Sequence, residues 1–411
     1  MNDFKKLLEK YADIVVKIGI NIEPNQTLVI NSPIECAEFV RIIANKAYDA
    51  GAKNVHVKWN DEELSLIKYM KAPFETFKEF PAWEVEELES LAKENAAFLS
   101  ISASNPELLK NVDPQKIANA NKTRGKALKK YYKYIMNSFV SWCVLSVPTK
   151  AWAKKVFPDL KEDVAVEKLW ENIFNIVRID KEDAVKAWEE HLNNLANKVN
   201  FLNDQKLAKL HYKSKDTNLT IELPKGHIWC GGGEYNKNKR YFVANMPTEE
   251  VFTLPLKTGV NGIVKSTKPL NYSGNLINNF TLKFRNGKII DFSAEEGYET
   301  LQKLIETDEG SCYLGEVALV PFHSPISDSN IIFYNTLFDE NASCHLALGE
   351  AYPTCIENGD NMTKEELEKA GANNSLAHVD FMIGSSDLNI IGEDKKGEKI
   401  EIFKNGNWHF K

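Results

Sequence analysis

The sequence predicts two domains: an α/β N-terminal domain with a mostly parallel sheet, and a β-rich α+β C-terminal domain. Its 411 residues are enough for two domains of ordinary size. Strand and helix patterns alternate through the first half of the chain, whereas short alternating runs dominate the second half. We therefore place the N-terminal domain at residues 1–200 and the C-terminal domain at residues 201–411.

The first domain opens with a helix that Gly19 can end. Thr27–Ile30 is then a β-branched run, Cys36–Ala50 returns to helical periodicity, and Asn54–Trp59 reads as a second strand, so that a βαβ unit is predicted. The apolar residues of the opening helix recur at three- and four-residue steps; they are Phe4, Leu7, Leu8, Tyr11, Ile14, Val15 and Ile18.

The same alternation continues to the end of the first domain. Apolar runs at Ala97–Ile101 and Ser141–Val147 predict two further strands, and Asp183–Val199 predicts an amphipathic helix that closes the domain. Strands separated by helices imply a mostly parallel sheet covered on both faces.

The second domain has a different texture. Leu207–Tyr212 and Leu219–Leu223 alternate between apolar and polar residues, and Asn271–Asp291 holds strand-like runs around a turn at 285–288. Helical periodicity becomes rare, so this half is predicted to be β-rich.

Composition and charge predict a cytoplasmic protein without a membrane segment. The N-terminus interleaves charges with apolar residues, and the longest stretch without acidic or basic residues, Tyr134–Thr149, falls short of the ~20 apolar residues of a spanning helix. The net charge is −7. The six cysteines form no CxxC pair, which favours a reducing compartment; they are Cys36, Cys143, Cys230, Cys312, Cys344 and Cys355.

One basic cluster, Lys122–Lys133, contains Arg124 and is followed or interrupted by Tyr131, Tyr132 and Tyr134. Such a cluster can bind phosphates and stack on bases. A solvated helix face is the preferred interpretation, because the chain is acidic overall and such runs are common on exposed helices. We therefore expect no nucleic-acid partner. The first half also has no glycine-rich phosphate loop.

Candidate metal ligands occur in four segments of the second half, each with largely uncharged flanks. Glu249 and Glu250 follow a β-type run and a proline, so that on extended backbone one can bind a metal while the other supports it or acts as a base. Glu316 lies alone in an apolar strand pattern, where an ionised carboxylate needs a cation. A buried Lys or Arg partner is the structural alternative for Glu316.

Histidines supply the other two segments. The acidic start of Asp339–Asn341 suits a helix N-terminus and places His345 about one turn inside that helix, within reach of Glu340. His378 and Asp380 are two residues apart in an alternating pattern and project from the same face of a predicted strand, which is a chelating geometry. Taken alone, a histidine at position 345 is more often a satisfied core residue than a metal ligand, and His378 and Asp380 can be an ordinary hydrogen-bonded pair.

Together these side chains form an oxygen and nitrogen ligand set without thiolates, typical of sites that hold two divalent ions. Several carboxylates at one site repel one another unless cations neutralise them. The imidazoles favour zinc or cobalt over magnesium or calcium. The candidate ligands are Glu250, Glu316, Glu340, His345, His378 and Asp380.

Two rival interpretations involve other residues. Cys344 beside His345 could act as a thiol nucleophile, but neighbouring residues on a helix point about 100° apart and do not pair easily, so a buried apolar role is preferred. The glycines at 231–233 could hold an anion through backbone N–H groups, or could equally mark a turn or a close approach of two backbones.

These segments closely resemble the aminopeptidase T and aminopeptidase S family of bimetallic exopeptidases. The resemblance implies an α/β N-terminal domain, a β-rich catalytic C-terminal domain, a homodimer that encloses a cavity, and two metal ions, often cobalt or zinc. The motifs that carry it span nearly the whole chain: Glu23–Ile30, Gly226–Trp229, Asn245–Phe252, Asp339–Gly349, Ala351–Pro353 and His378–Gly384.

The resemblance also assigns roles to single residues. Glu316 matches the bridging carboxylate, Glu340 matches a further family carboxylate, and Tyr352 matches the catalytic tyrosine, whose phenol is a natural hydrogen-bond donor to an oxyanion. Without the family, Tyr352 would be read as an aromatic residue that packs before Pro353. The remaining matches to family metal ligands are Glu250, His345, His378 and Asp380.

We therefore expect a metalloaminopeptidase that releases N-terminal amino acids from peptides with a free N-terminus, through a water molecule activated by two metal ions. Either Glu316 or Glu249 would relay the proton, and the sequence does not choose between them. The alternative is a cavity-forming binding protein in which the metal site is only structural.

Overall fold

The computed structural model describes residues 2–272 and 275–410. Its α-helices are, in chain order, α1 Asn2–Ile14, α2 Ala37–Asp49, α3 Glu62–Lys71, α4 Ala82–Lys93, α5 Pro114–Ala127, α6 Lys129–Met136, α7 Lys150–Val156, α8 Glu162–Ile176, α9 Ala184–Gln205, α10 Tyr298–Ile305, α11 Pro325–Asp328, α12 Thr336–Asp339 and α13 Lys364–Ala370. A π-helical turn at Val15–Gly19 follows α1, and short 3₁₀ turns occupy Ile34–Cys36, Phe74–Lys78, Glu340–Ala342, Pro353–Cys355 and Gly359–Asn361.

The β-strands are shorter and concentrate in the second half, as the sequence predicts. In chain order they are β1 Thr27–Pro33, β2 Asn54–Asn60, β3 Ala97–Ile101, β4 Trp142–Leu145, β5 Lys209–Lys213, β6 Asn218–Glu222, β7 Cys230–Gly231, β8 Glu234–Tyr235, β9 Tyr241–Phe242, β10 Asn245–Met246, β11 Val251–Thr253, β12 Val260–Lys265, β13 Leu270–Tyr272, β14 Asn275–Ile277, β15 Thr281–Arg285, β16 Lys288–Ser293, β17 Leu314–Leu319, β18 His345–Gly349, β19 His378–Met382, β20 Asn389–Glu393, β21 Lys399–Lys404 and β22 Asn407–Trp408. Within the strand-like stretch Asn271–Asp291, residues 273 and 274 lie outside the described residues.

The chain divides into two compact units. The first comprises Met1–His191, Gly233–Pro247 and Ile332–Leu337, and the second comprises Leu192–Gly232, Thr248–Ile331 and Phe338–Lys411. Two short segments of the second half thus belong to the first unit. The domain boundary near residue 200 stays a prediction.

The first unit is built on a parallel sheet with the strand order β10-β4-β3-β1-β2. Leu28, Val29 and Ile30 of the central strand β1 are fully buried, which explains why this strand reads as a continuous apolar run. Since β1 pairs with β2 on one side and with β3 on the other, the direction of winding reverses between β1 and β3.

The second unit contains two larger antiparallel sheets. One has the order β19-β18-β17-β11-β7, and the other has the order β16-β15-β12-β6-β5-β20-β21-β22. Leu314, Val317, Leu346 and Ile390 are fully buried in the core of this unit. Among the described residues, no helix combines the length and the apolar composition that crossing a membrane requires.

The structure corrects one local prediction. His345 is the first residue of strand β18 and not part of a helix; the helical segments Thr336–Asp339 and Glu340–Ala342 end before it. Strand β18 lies between β17 and β19, and all its residues are buried. A strand buried on both faces gives an apolar run without alternation, and such a run cannot be distinguished from a helix by periodicity.

Candidate metal centre

Three neighbouring strands carry most of the candidate ligands on one face of the five-stranded sheet. Ala347 of β18 pairs with Glu316 of β17 on one side and with Asp380 of β19 on the other. Residues two apart on a strand share a face, so His345 and His378 project to the same side as these carboxylates. The two acids and two imidazoles therefore converge over one small alanine.

Small residues at the end of β18 keep this face open. Gly349 pairs with His378, and its backbone has a φ of 109°, in the region that favours glycine. A Cβ atom at Gly349 would lie 1.9 Å from the carbonyl oxygen of Ala377. Because Gly349 has no side chain, strand β19 can lie close to β18 at this point, and His378 reaches the cluster of acids and imidazoles.

Glu250 reaches the same centre from the residue before strand β11, which pairs with β17. Its Oε2 lies 3.2 Å from Nε2 of His345. Glu249 and Glu250 are both buried, with 5% and 9% of their surface exposed. Two buried carboxylates next to each other in sequence require compensation, since burying an unpaired charge is costly.

Glu316 links the two halves of the cluster. Its Oε2 lies 3.2 Å from His378 Nε2, and its Oε1 lies 3.9 Å from His345 Nε2. Two three-residue groups result, each with ligand atoms within 4.8 Å of one another, and Glu316 belongs to both. The groups are Glu250, Glu316 and His345, and Glu316, His378 and Asp380.

Backbone carbonyls orient both imidazoles. Nδ1 of His345 lies 3.1 Å from the Ser343 oxygen, and Nδ1 of His378 lies 2.7 Å from the Glu350 oxygen. Each Nδ1 donates to its carbonyl, so that Nε2 is the ring nitrogen that faces the cluster. This is the usual arrangement around metal-binding histidines. A backbone carbonyl that orients an imidazole leaves no pattern in the sequence, so these two contacts could not be predicted.

The acids and imidazoles perturb one another strongly. Burial, together with the charges of Asp380 and Glu250, raises the pKa of Glu340 well above its ordinary value. Burial opposes the charged form of His345, but the hydrogen bond and the charge of Glu250 raise its pKa to about 10. The pKa of His378 is likewise well above the ordinary value, because its contacts with Asp380 and Glu316 outweigh burial. The crowded carboxylates thus favour the protonated forms of Glu340, His345 and His378.

This donor set fits divalent cations. The Oδ1 atom of Asp380 is buried and has no hydrogen-bond partner among the described residues, although His378 Nε2 lies 3.6 Å away. A cation would supply the missing partner and replace the protons that the cluster otherwise retains. Carboxylates and neutral imidazoles suit zinc and cobalt, and the sharing of Glu316 suits two adjacent ions.

Two of the predicted acidic site residues, Glu249 and Glu340, lie outside both three-residue groups. Glu340 is close enough for its charge to interact with Glu250, His345 and Asp380, and Nδ2 of Asn341 lies 3.5 Å from its Oε1. The backbone N–H of Glu249 donates to Oδ1 of Asn341 at 2.8 Å. Asn341 is fully buried and contacts both acids, a role that the sequence did not single out. The available signal was an amide directly after the acidic pair Asp339 and Glu340.

Tyr352 lies beside the cluster. Its ring centroid is 4.8 Å from that of His378 and 5.9 Å from that of Phe252. Burial, strengthened by the charge of Glu316, raises the pKa of the Tyr352 phenol well above its ordinary value. The phenol therefore stays protonated at neutral pH and can donate a hydrogen bond.

The rival interpretations find no support in this geometry. Cys344 is buried, and burial raises the pKa of its thiol to about 12, so no thiolate nucleophile forms near neutral pH. A Cβ atom at Gly231 would lie 2.6 Å from the Glu250 carbonyl oxygen, which identifies this glycine as a close-approach position. Tyr131 of the basic cluster is buried against Phe98, with ring centroids 5.3 Å apart, and is not available to stack on a base.

Comparison with known proteins gives one consistent picture. The family model described as thermophilic metalloprotease (M29) matches residues 4–408. Aminopeptidase 2 of Geobacillus stearothermophilus is 55% identical, and aminopeptidase AmpS of Bacillus subtilis is 53% identical, each over 410 residues that cover 100% of this chain and at least 99% of the relative. The solved structure of wild-type AmpT from Thermus thermophilus superposes with a TM-score of 0.94 at 38% identity, covering 99% of this chain and 100% of that one.

Proposed function

Because the chain belongs to the M29 family of thermophilic metalloproteases and is a metal-dependent aminopeptidase, we propose that it releases N-terminal residues one at a time through a centre of two divalent ions. Membership of this family agrees with the resemblance to aminopeptidases T and S found in the sequence. The count of ions, their identity, the residue roles and the details of the reaction belong to the proposal.

One observation carries the two-ion proposal: Glu316 belongs to both ligand groups, with one oxygen toward each histidine. A carboxylate shared in this way would hold both ions. Glu250 and His345 would complete one site, and His378 and Asp380 the other. Zinc or cobalt fits these ligands best. Glu340 lies close enough either to bind one of the ions directly or to offset their positive charge without binding them.

When bound, two such ions lower the pKa of a water molecule and polarise the scissile carbonyl. Tyr352 donates its phenolic hydrogen to the oxygen on which negative charge develops. Glu249 takes the proton of the attacking water and passes it to the leaving nitrogen as the C–N bond breaks. We favour Glu249 over Glu316 for this relay, since both oxygens of Glu316 face ligand imidazoles.

The proposal extends to the setting of the reaction. The substrates are peptides with a free N-terminus, the enzyme works as a homodimer that encloses its active sites, and it resides in the cytoplasm. Nucleic acid and membranes are not partners. Sedimentation of the purified protein at two concentrations tests the homodimer.

Metal analysis joined to an activity assay tests the centre. Protein purified without added ions is analysed for metal, stripped with a chelator, and titrated with zinc or cobalt while hydrolysis of an amino-acyl anilide is followed. We expect activity to saturate at two ions per chain. Saturation at one ion would contradict the two-ion centre, and full activity without metal would refute a metal-dependent reaction. Bound metal without any hydrolysis would leave the alternative of a binding protein with a structural metal site.

A further inference from the structure

A cavity of about 650 Å³ lies wholly within the first unit. No candidate metal ligand is among the residues that line it. Its wall includes the carboxyl ends of strands β1, β2 and β3. The winding of the parallel sheet reverses between β1 and β3, and in open α/β sheets ligands bind outside the carboxyl ends of the strands at such a reversal. The size is that of a small-molecule pocket.

The sheet face in this cavity is polar, which a parallel sheet covered by helices ordinarily avoids. Lys58, Asn31 and Ser100 stand side by side on strands β2, β1 and β3, because Asn31 pairs with both of the others. Two residues earlier on the same strands, Val29 and Phe98 are buried in an apolar cluster. The change from apolar to polar thus occurs where the cavity begins.

These polar groups are largely without partners. In the described part of the chain, the side chains of Asn31 and Ser100 make no hydrogen bond, and both residues are half-buried. Trp142 also lines the cavity, and its buried indole N–H has no acceptor among the described residues. Leaving the buried indole N–H unpaired is costly, and its position on a cavity wall with two half-buried polar side chains points to a ligand that pairs them.

The charges on the wall select an anion. Lys58 is neutralised by an ion pair with Glu87. Arg124 and Lys68 form no ion pair or side-chain hydrogen bond within the described residues, and Glu84 offsets one of these two charges. One positive charge remains unbalanced, and the planar guanidinium of Arg124 can bind a carboxylate or phosphate through two parallel hydrogen bonds.

Aromatic residues form much of the rest of the wall: Phe80, Tyr132 and Trp142 line the cavity together with Arg124. Aromatic walls favour a flat apolar ring. We propose that the first unit binds a small aromatic anion, a planar ring bearing one carboxylate or phosphate group, with the oxygens of the anion held by Arg124 and the polar row Lys58–Asn31–Ser100 and the ring against the aromatic wall. This site is independent of the metal centre.

Calorimetric titration of the full chain with phenylacetate and with phenyl phosphate tests the site. We expect both to bind at least tenfold more tightly than acetate, inorganic phosphate or benzyl alcohol, and the tighter of the two identifies the anionic group. Each titration is run with and without chelator, so that binding by metal ions is recognised. Affinity that survives the chelator unchanged supports the site in the first unit.

Variants locate the binding. Arg124→Gln should weaken binding of the aromatic anion at least tenfold, whereas Arg41→Gln, which removes the same charge from another exposed position of the first unit, should leave it unchanged. Asn31→Leu should weaken it as well, and thermal unfolding checks that this variant folds. Both variants should hydrolyse an amino-acyl anilide at the normal rate.

Several results would overturn the assignment. These are no heat with either aromatic anion at millimolar concentration, equal affinity for acetate, or binding that Arg124→Gln leaves intact. Tighter, Arg124-dependent binding of a single-stranded oligonucleotide would also overturn it and would assign the basic residues to nucleic acid.

Discussion

The ring of Tyr352 lies 4.8 Å from the imidazole of His378 and is tilted by 56° to it. The phenol is thereby fixed next to an imidazole that belongs to one of the two candidate ligand groups. Because burial keeps the phenol protonated, its O–H can serve as a donor without competing as a ligand. In the proposed mechanism Tyr352 stabilises the transition state without binding metal. Its effects on turnover and on metal content can therefore be measured separately.

Tyr352→Phe should lower kcat by about two orders of magnitude, as expected when one donor to an oxyanion is lost. The ring and its contacts with His378 and Phe252 stay in place, so metal content and thermal stability should be unchanged. Steady-state kinetics on an amino-acyl anilide and metal analysis of the same samples provide the measurement. Tyr298→Phe, at an exposed position, serves as the control. If the variant lost metal in parallel with activity, Tyr352 would be structural.

Glu316→Gln and Glu249→Gln should fail in different ways. Glu316 belongs to both ligand groups, so its amide should weaken the binding of both ions by at least ~100-fold, beyond what loss of an outer partner costs. Glu249 lies outside both groups, so Glu249→Gln should retain the metal and lose at least ~100-fold in kcat if it relays the proton.

Metal content and kcat, measured at saturating metal, separate the two variants, with Glu299→Gln at an exposed position of α10 as the control. If Glu316→Gln retained metal but lost turnover, and Glu249→Gln turned over normally, the proton relay would be assigned to Glu316.

Asn341→Ala should destabilise the fold and loosen the metal centre together. The backbone N–H of Glu249 loses its buried acceptor, which costs about 1–3 kcal/mol of unfolding free energy. The neighbouring ligand Glu250 also loses its support, and outer contacts of this kind typically contribute 10–100-fold to metal affinity. Denaturant unfolding and metal titration measure the two effects, and saturating metal should restore most of kcat.

Asn203→Ala is a matched control for Asn341→Ala. Its side chain forms two hydrogen bonds with the backbone of Trp229, at 2.9 and 3.0 Å, and Asn203 is not near the ligands in the sequence. This variant should lose a similar amount of stability and keep its metal affinity. Equal loss of metal affinity in both variants would show that Asn341 acts only through general stability.

The sequence predicted which acidic and imidazole side chains come together better than it predicted their local structure. Glu316, His378 and Asp380 were correctly expected on strands, because an isolated acid in an apolar run and an alternating His-x-Asp pattern are both specific signals. His345 was wrongly placed in a helix, since the apolar run Leu346–Leu348 is buried between two strands and shows no alternation.

Long-range contacts set the other limit. The strand β10 at residues 245–246 pairs with β4 of the first unit, although Asn245 and its partner Val144 are 101 positions apart in sequence. Two residues are too few for a periodic signal, so this pairing could not be predicted. The polar row of Asn31, Lys58 and Ser100 depends on the register of three strands in the same way.

Removal of metal should abolish activity reversibly. A centre that must accept water and substrate keeps open positions, so its ions exchange more readily than those of a closed structural site. Chelator treatment followed by gel filtration should reduce the rate on an amino-acyl anilide at least tenfold, and added zinc or cobalt should restore it. Circular dichroism should remain unchanged, since the strands β17, β18 and β19 that carry the candidate ligands are joined by backbone pairing along their length. A chelated protein that unfolds would assign the ions to structure.

Cleavage should require a free α-amino group. The ligand set is larger than one water-activating ion needs, so the second ion can bind a neutral terminal amine and fix the first residue of the peptide in place. An endopeptidase must instead leave room for backbone on both sides of the scissile bond. The test offers one pentapeptide with a free N-terminus and the same peptide N-acetylated, and follows the products by mass spectrometry. We expect single residues to be released in order from the first peptide and almost no cleavage of the second. Comparable hydrolysis of both, or internal cuts in the acetylated peptide, would refute the one-at-a-time release from a free N-terminus while leaving a metal-dependent hydrolytic centre in place.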